Sequence, residues 1–241
     1  MRFTLAFGLC GLALAAMALR PARPAVGLGW LPIAVEWYLA SCCLTLALAY
    51  GFRSAGRDVE RFAFRAGWSI IVRTILLPYL ALGAVTLYLA RWFDREALLN
   101  PVAPGIAIGR LPFPSERIEL ERVGIRAVLN LCWEFPRVSG IDRVPGLATA
   151  RVPILDGAAP TDRQFRDACA CVARWRAEGR FVLIHCAQGH GRTATVAAAV
   201  LCELGLASDA EEALSLIRSA RPLARPCGEQ RAALARFLAS D

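Results

Sequence analysis

The strongest constraint on this chain is the uneven distribution of its charge. Phe3–Leu19 carries no charged side chain, Leu31–Tyr50 carries only Glu36, and Trp68–Ala90 carries only Arg73. An α-helix crosses the apolar layer of a bilayer with ~20 apolar residues, and ~17–25 are tolerated. All three segments have that length. Residues 1–95 are therefore expected to form an N-terminal transmembrane helical region with spans at 3–19, 31–50 and 68–90. Trp30, Trp37, Tyr38, Tyr50, Trp68, Tyr88 and Trp92 sit mostly toward the segment ends, as interfacial aromatics do. Glu36 and Arg73 each lie about five residues inside a segment start, close enough to the interface to snorkel. The first segment has a second reading. Arg2, an apolar run and Ala16-Met17-Ala18 before Arg20-Pro21 also have the form of a cleaved secretory signal.

From residue 96 to 241 the texture is that of an ordinary globular domain. The composition fits such a division: 56% of residues are apolar and 20% charged, with a mean hydropathy of +0.45. Disordered, collagen-like and small disulfide-framework classes are excluded, because apolar content is high and the Gly and Pro residues have no period. Every one of the 28 basic side chains is Arg, a bias that suggests a GC-rich, bacterial coding sequence rather than a nucleic-acid-binding surface. The net charge of +8 favours anionic partners such as phosphates or acidic lipid.

The nine cysteines, at positions 10, 42, 43, 132, 169, 171, 186, 202 and 227, form no CxxC pair, and the two histidines are His185 and His190. This argues against a structural zinc site or a disulfide framework, and no metal or cofactor is expected. Free thiols suit a reducing compartment. Charge alone leaves the orientation divided. Arg53, Arg57, Arg61 and Arg65 place the loop between the second and third segments in the cytoplasm, and so send the residues after Ala90 across the membrane. Arg20, Arg23, Arg91 and Arg95, with six cysteines beyond residue 95, point the other way. The expectation is a multi-pass protein of the bacterial inner membrane, its polar part in the cytoplasm.

Within the polar part, Asn100–Gly105 reads as a linker from its turn residues. Strands are expected at Ile106–Leu111, Arg126–Leu131, Ala150–Ile154 and Phe181–His185. Helices are expected at Ser115–Val123, Thr161–Glu178, Thr193–Leu204, Ser208–Ala220 and Glu229–Ala239. Thr161 with Gln164, and Ser208 with Glu211, have capping-box spacing; Gly179 and Arg221-Pro222 are stops. Such alternation implies an α/β fold, a central sheet flanked by helices. Asp142 reads as a solvated turn residue. Trp133-Glu134-Phe135-Pro136 reads as packing or as a pocket rim, and Cys132, Cys169, Cys171 and Cys202 as small core fillers, any of which could pair with Cys186 under oxidation.

The chemistry is concentrated in Phe181–Thr195. An apolar strand ends at His185, a loop Cys186-Ala187-Gln188-Gly189-His190-Gly191-Arg192 follows, and an Ala-rich helix begins at once. Strand, Gly-rich loop and helix together aim successive backbone N–H groups and a helix N-terminus at one point, where an anion is stabilised. The same field stabilises a thiolate, bringing a Cys from ~8.5 toward ~3.5–7.5. Arg192 offers a planar fork for two phosphate oxygens. A Cys six positions before an Arg arises by chance. The added His, the two Gly, the following hydroxyl and the flanking elements together do not.

His185-Cys186, five residues, then Arg192-Thr193 resembles the active-site loop of the cysteine-dependent protein tyrosine and dual-specificity phosphatases. The resemblance runs over about Pro104–Arg236 and includes Val128-Leu129-Asn130-Leu131 and Ile217-Arg218-Ser219-Ala220-Arg221-Pro222. The compact domain is more like the dual-specificity branch than the larger tyrosine-specific one. The resemblance implies a phosphomonoester hydrolase working through a phosphocysteine. Cys186 would be the nucleophile, and Arg192 and the amides of Ala187, Gln188, Gly189, His190 and Gly191 would hold the phosphate. His185 would order the loop, and Thr193 would donate a hydrogen bond to the sulfur. The family carries its general acid on a mobile loop about thirty residues before the Cys. Asp156 stands thirty positions before Cys186; Asp162 is the rival, with a capping context.

The expected partners are a membrane and a phosphorylated protein. A phospholipid is the alternative, because Asp156-Gly157-Ala158-Ala159-Pro160-Thr161 also resembles phosphatidylglycerophosphate phosphatases of this branch. The Lys residues by which inositide phosphatases bind extra phosphates are missing from the loop. A catalytically silent phospho-ligand module would lack Cys, Arg or acid, and three spans without an intramembrane polar cluster make a poor transport pathway.

Overall fold

The computed structural model describes residues 2–19, 30–57, 68–93, 96–135, 141 and 144–240. Asp142 lies outside them, as do Arg20, Arg23, Arg61, Arg65 and Arg95 of the charge count. The chain divides into two compact units, Met1–Leu89 and Ala90–Asp241.

In the first unit α1 (Arg2–Ala18) packs along α2 (Leu31–Ser54). Small residues allow the approach: Gly8 faces Ala47, and a Cβ on Gly11 would press into Leu44. Phe3 and Phe7 stack on Tyr50, with centroids 5.1 and 5.8 Å apart. Among the described residues one helix, α2, is long and apolar enough to cross a bilayer. α1 is also apolar but has 17 residues, the short end of the ~17–25 that can span.

The expected continuous span at 68–90 is instead two helices, α3 (Trp68–Ile75) and α4 (Leu77–Phe93), meeting at Leu76. Pro78 is the physical reason. It has no N–H to give the carbonyl of Thr74 four residues earlier, and its ring crowds that turn. The Thr74 carbonyl accepts the Tyr38 hydroxyl instead.

The second unit is a five-stranded sheet with strand order β1-β2-β5-β3-β4. Its strands are β1 (Leu99–Ala103), β2 (Ile106–Gly109), β3 (Ile125–Cys132), β4 (Ala148–Ile154) and β5 (Phe181–His185). β1 is antiparallel to β2; all other pairings are parallel. The segment expected to be a linker is thus a β-hairpin. Pro101 is accommodated because β1 is an edge strand, and Gly105 supplies the positive φ of +72° for the Pro104-Gly105 turn.

The helices flanking the sheet are α5 (Arg117–Val123), α6 (Asp162–Ala177), α7 (Gly191–Glu203), α8 (Ala210–Ala220) and α9 (Gly228–Leu238). α7 is buried from Arg192 to Leu201 and contacts the sheet at β2 and β5, together with α6, α8 and α9. Its alanines are what let so many elements close on one helix. The Thr161–Gln164 capping box forms reciprocally, at 2.9 and 3.2 Å. The second box is displaced by one residue. Asp209 accepts from the Glu212 N–H at 2.8 Å, and the Glu212 carboxylate takes the Ser208 N–H and hydroxyl at 2.7 and 2.6 Å. Ser208 and Asp209 can both cap, and Glu211 and Glu212 can both answer, so packing makes the choice.

β5 is the central strand, with β2 on one side and β3 on the other. Its C-terminal end opens where the strand order reverses, the crevice in which α/β folds bind ligands.

Candidate active site

β5 delivers Cys186 to the floor of that crevice, where it is buried. The loop after it is shaped from outside. The Cys186 carbonyl lies 3.1 Å from His185 Nδ1, the Ala187 carbonyl accepts the Leu111 N–H at 3.1 Å, and the Gln188 carbonyl accepts Arg221 at 3.0 Å. Three consecutive carbonyls are thereby turned outward. Because C=O and N–H of a trans peptide point in opposite directions, the amides that follow turn inward. One is visibly placed: the Gly189 N–H donates to Cys186 Sγ at 3.3 Å. Gly189 has φ +78°, and a Cβ there would overlap the Gly109 carbonyl, so the loop requires glycine on both counts. α7 starts at Gly191 without a side-chain N-cap, leaving its first amides for an anion.

Arg192 enters from α7 and is buried. It donates to both Glu134 oxygens at 2.6 and 2.8 Å and to the Ile154 carbonyl at 2.9 Å, and it forms an ion pair with Asp156 Oδ1 at 2.9 Å. Burial opposes its charge, but the Glu134 carboxylate and the nearby Cys132 and Cys186 together raise its pKa still further. Asp156 lies at the mouth with 66% of its side chain exposed, on a turn held by the Ala158 N–H to the Leu155 carbonyl. Two glutamines steady that turn. Gln164 donates to the Pro153 carbonyl at 2.7 Å, and the buried Gln230 donates to the Ala158 carbonyl at 3.0 Å while lying against Gly191.

His185 is fully buried, and burial lowers its pKa to about 4, so its ring is neutral. The Thr193 hydroxyl is buried without a hydrogen-bond partner among the described residues. Cys132, at the end of β3, is a fully buried thiol whose pKa is pushed up by burial and by Glu134. Among the described residues no group of His, Cys, Asp and Glu has a metal-holding arrangement.

Cys186, Arg192 and Asp156 are therefore brought to one crevice. His190 turns out of the loop, its Nε2 lying 2.7 Å from Glu96, and the Gln188 carbonyl is engaged by Arg221. Glu134 was missed as more than rim or packing. It is presented by a β3 terminus that Asn130 and Arg151 shape, Asn130 accepting from the Cys132 N–H at 2.8 Å and Arg151 donating to the Cys132 and Trp133 carbonyls. A buried Arg demands a carboxylate partner, and the acidic residue just past a neighbouring strand was the available signal.

Comparison with known proteins agrees with this geometry. Residues 114–206 match a family model described as "Polymorphic toxin system, DSP-PTPase phosphatase". Human dual specificity phosphatase 28 is 30% identical over 129 residues, 52% of this chain and 69% of that protein. Its crystal structure superposes with a TM-score of 0.53 at 26% identity, covering 60% of this chain and 95% of that one. The crystal structure of Tk-PTP in the active form gives a TM-score of 0.53 at 29% identity, covering 58% and 95%. With the cysteine at the strand end, the arginine on the helix behind it and this likeness in sequence and fold, the chain belongs to the dual-specificity phosphatase family of cysteine-dependent phosphatases.

Proposed function

We propose that this protein is a membrane-anchored protein phosphatase that cleaves phosphomonoesters through a phosphocysteine at Cys186. The observation that carries the reading is the inward Gly189 N–H at 3.3 Å from the Cys186 sulfur, in a loop whose preceding carbonyls are tied outward. A phosphoryl group there meets amides, a helix N-terminus and the Arg192 fork, which together stabilise the charge of a transferring phosphoryl group.

The sulfur of Cys186 attacks phosphorus in line, forming an S–P bond as the ester P–O bond breaks. Asp156 gives its proton to the departing alcohol or phenol oxygen, which leaves neutral. Water then attacks phosphorus, Asp156 takes its proton back, and the S–P bond breaks to release inorganic phosphate and the thiolate. The buried Thr193 hydroxyl serves as hydrogen-bond donor to that sulfur, and His185, neutral and fully buried, holds the loop's first carbonyl. Substrate phosphate must displace Asp156 from Arg192, which frees the carboxyl group for its work on the leaving oxygen. α2 supplies the membrane anchor.

A lipid headgroup substrate is the second reading, favoured by α2, since an anchored enzyme shares a surface with phospholipids. The deciding experiment is rapid-quench turnover of the full chain, without metal, on a ³²P-labelled phosphotyrosine peptide and on labelled phosphatidylglycerophosphate. The expected result is label trapped on protein with the peptide, and none in Cys186→Ser. Full activity in Cys186→Ser overturns the mechanism; faster turnover of the lipid overturns the protein substrate.

A further inference from the structure

We infer that Glu96 is a positioning residue of the phosphate loop, holding it through Arg221 and His190. It lies outside the 114–206 stretch matched by the family model. The inference rests on the phosphatase reading above and concerns how the cup of that site is kept in shape.

One carboxylate oxygen, Glu96 Oε2, lies 2.7 Å from His190 Nε2 and 2.7 Å from an Arg221 guanidinium nitrogen. Arg221 is fully buried and also donates to the Ala97 carbonyl at 2.9 Å, Asn100 Oδ1 at 3.0 Å and the Gln188 carbonyl at 3.0 Å. Three of these four acceptors come from residues 96–100, at the start of the sheet; the fourth is the loop itself. Glu96 thus reaches the loop at two places, directly at His190 and through Arg221 at Gln188.

The consequence follows from peptide geometry. With the Gln188 carbonyl drawn toward Arg221, the N–H across the same peptide plane, that of Gly189, must point the other way. That is the N–H found against Cys186 Sγ. Arg221 therefore sets the orientation of an amide that faces both the nucleophile and the bound phosphate. A fully buried guanidinium keeps its place only while its charge is compensated. Without the Glu96 carboxylate, Arg221 is driven toward solvent, and both the Gln188 carbonyl and the His190 ring lose their outer partners. His190 is the last residue before α7, so its freedom also disturbs the helix N-terminus that receives the anion.

The test uses the full chain with Glu96→Ala and Glu96→Gln. Orthovanadate inhibition probes the anion cup, and p-nitrophenyl phosphate kinetics and thermal unfolding are measured beside it. In Glu96→Ala, vanadate inhibition is expected to weaken roughly tenfold, the scale of one lost charge-assisted hydrogen bond, with kcat/KM falling in step. Glu96→Gln keeps the reach and drops the charge, so it should recover part of both losses; being isosteric, it decides the matter if the Ala variant does not fold. The inference is overturned if a folded Glu96→Ala, or Glu96→Gln where the Ala variant does not fold, keeps vanadate inhibition and kcat/KM within about twofold of the parent, even where unfolding temperature drops. Failure of the parent chain itself to turn over substrate or bind vanadate would strike the phosphatase reading instead, so the two failures are distinct.

Discussion

Glu134 grips the Arg192 guanidinium through two parallel hydrogen bonds, 2.6 and 2.8 Å long, with both side chains buried. The pair fixes the plane of the guanidinium fork proposed to receive phosphate, because one edge of it is already committed to a carboxylate. Arginine suits this arrangement and lysine does not, since only a planar fork can meet two anions along different edges.

Removing one partner of a buried pair leaves the other charge stranded, at a cost of about 3–5 kcal/mol. Glu134→Ala should therefore destabilise the Ala90–Asp241 unit by about 3 kcal/mol or more in urea unfolding and raise KM for p-nitrophenyl phosphate. Stability within about 0.5 kcal/mol of the parent, the usual range for surface substitutions, would show that the pair carries no such weight.

Asp156 meets the same guanidinium at 2.9 Å from the solvent side. In its proposed role as general acid it matters in proportion to how poorly the leaving group departs. Asp156→Asn should lower kcat by about 10²–10⁴-fold on an alkyl or phenyl phosphate, and far less on an aryl phosphate with an acidic phenol. Equal losses across a leaving-group series would assign it a binding role instead.

Gly189→Ala asks for a positive φ of +78° with a side chain, and for a Cβ where the Gly109 carbonyl stands. The left-handed conformation alone costs roughly 1–2 kcal/mol, and the overlap forces the loop to move. The expected outcome is a folded protein, with far-UV circular dichroism unchanged, that has lost most of its turnover and its vanadate inhibition. Wild-type activity in this variant would mean that the loop adopts another shape.

His185 makes acid stability measurable. Burial holds its pKa at about 4, against 6.5 in an unfolded chain. Between those values the unfolded chain binds a proton that the native one refuses. Stability from this group is thus complete above about pH 6.5 and falls as pH drops toward about 4, by roughly 3 kcal/mol in all. Comparing urea unfolding at pH 7.5 and pH 5 should show a loss near 2 kcal/mol that shrinks in His185→Asn. An unchanged difference in that variant would place the titrating group elsewhere.

Much of the catalytic unit was readable along the chain. β5 matched its expected limits, because a run of large apolar residues between Arg180 and the loop permits little else. The Thr161 cap was readable for the same reason: its partner Gln164 lies three residues away. Where two local solutions compete, sequence loses resolution. Ser208 and Asp209 are adjacent caps, and Pro104-Gly105 is both a linker signal and a hairpin turn, which becomes a hairpin because β2 is there to pair with residues 99–103. Residues 68–90 form two helical segments where one continuous helix was expected, because apolarity says nothing of Pro78 and its missing donor.

The chain order by itself placed the cysteine, the Gly-rich loop and the arginine of the candidate site together, since they lie within seven consecutive residues and their geometry is a matter of local backbone. The tertiary structure decided who holds them. Glu134 comes 58 residues before Arg192, Glu96 comes 94 before His190, and Arg221 comes 33 after Gln188. Those distances close only when five strands align and bury the charges together. A carboxylate becomes the partner of a given arginine through shared burial, which no spacing along the chain records.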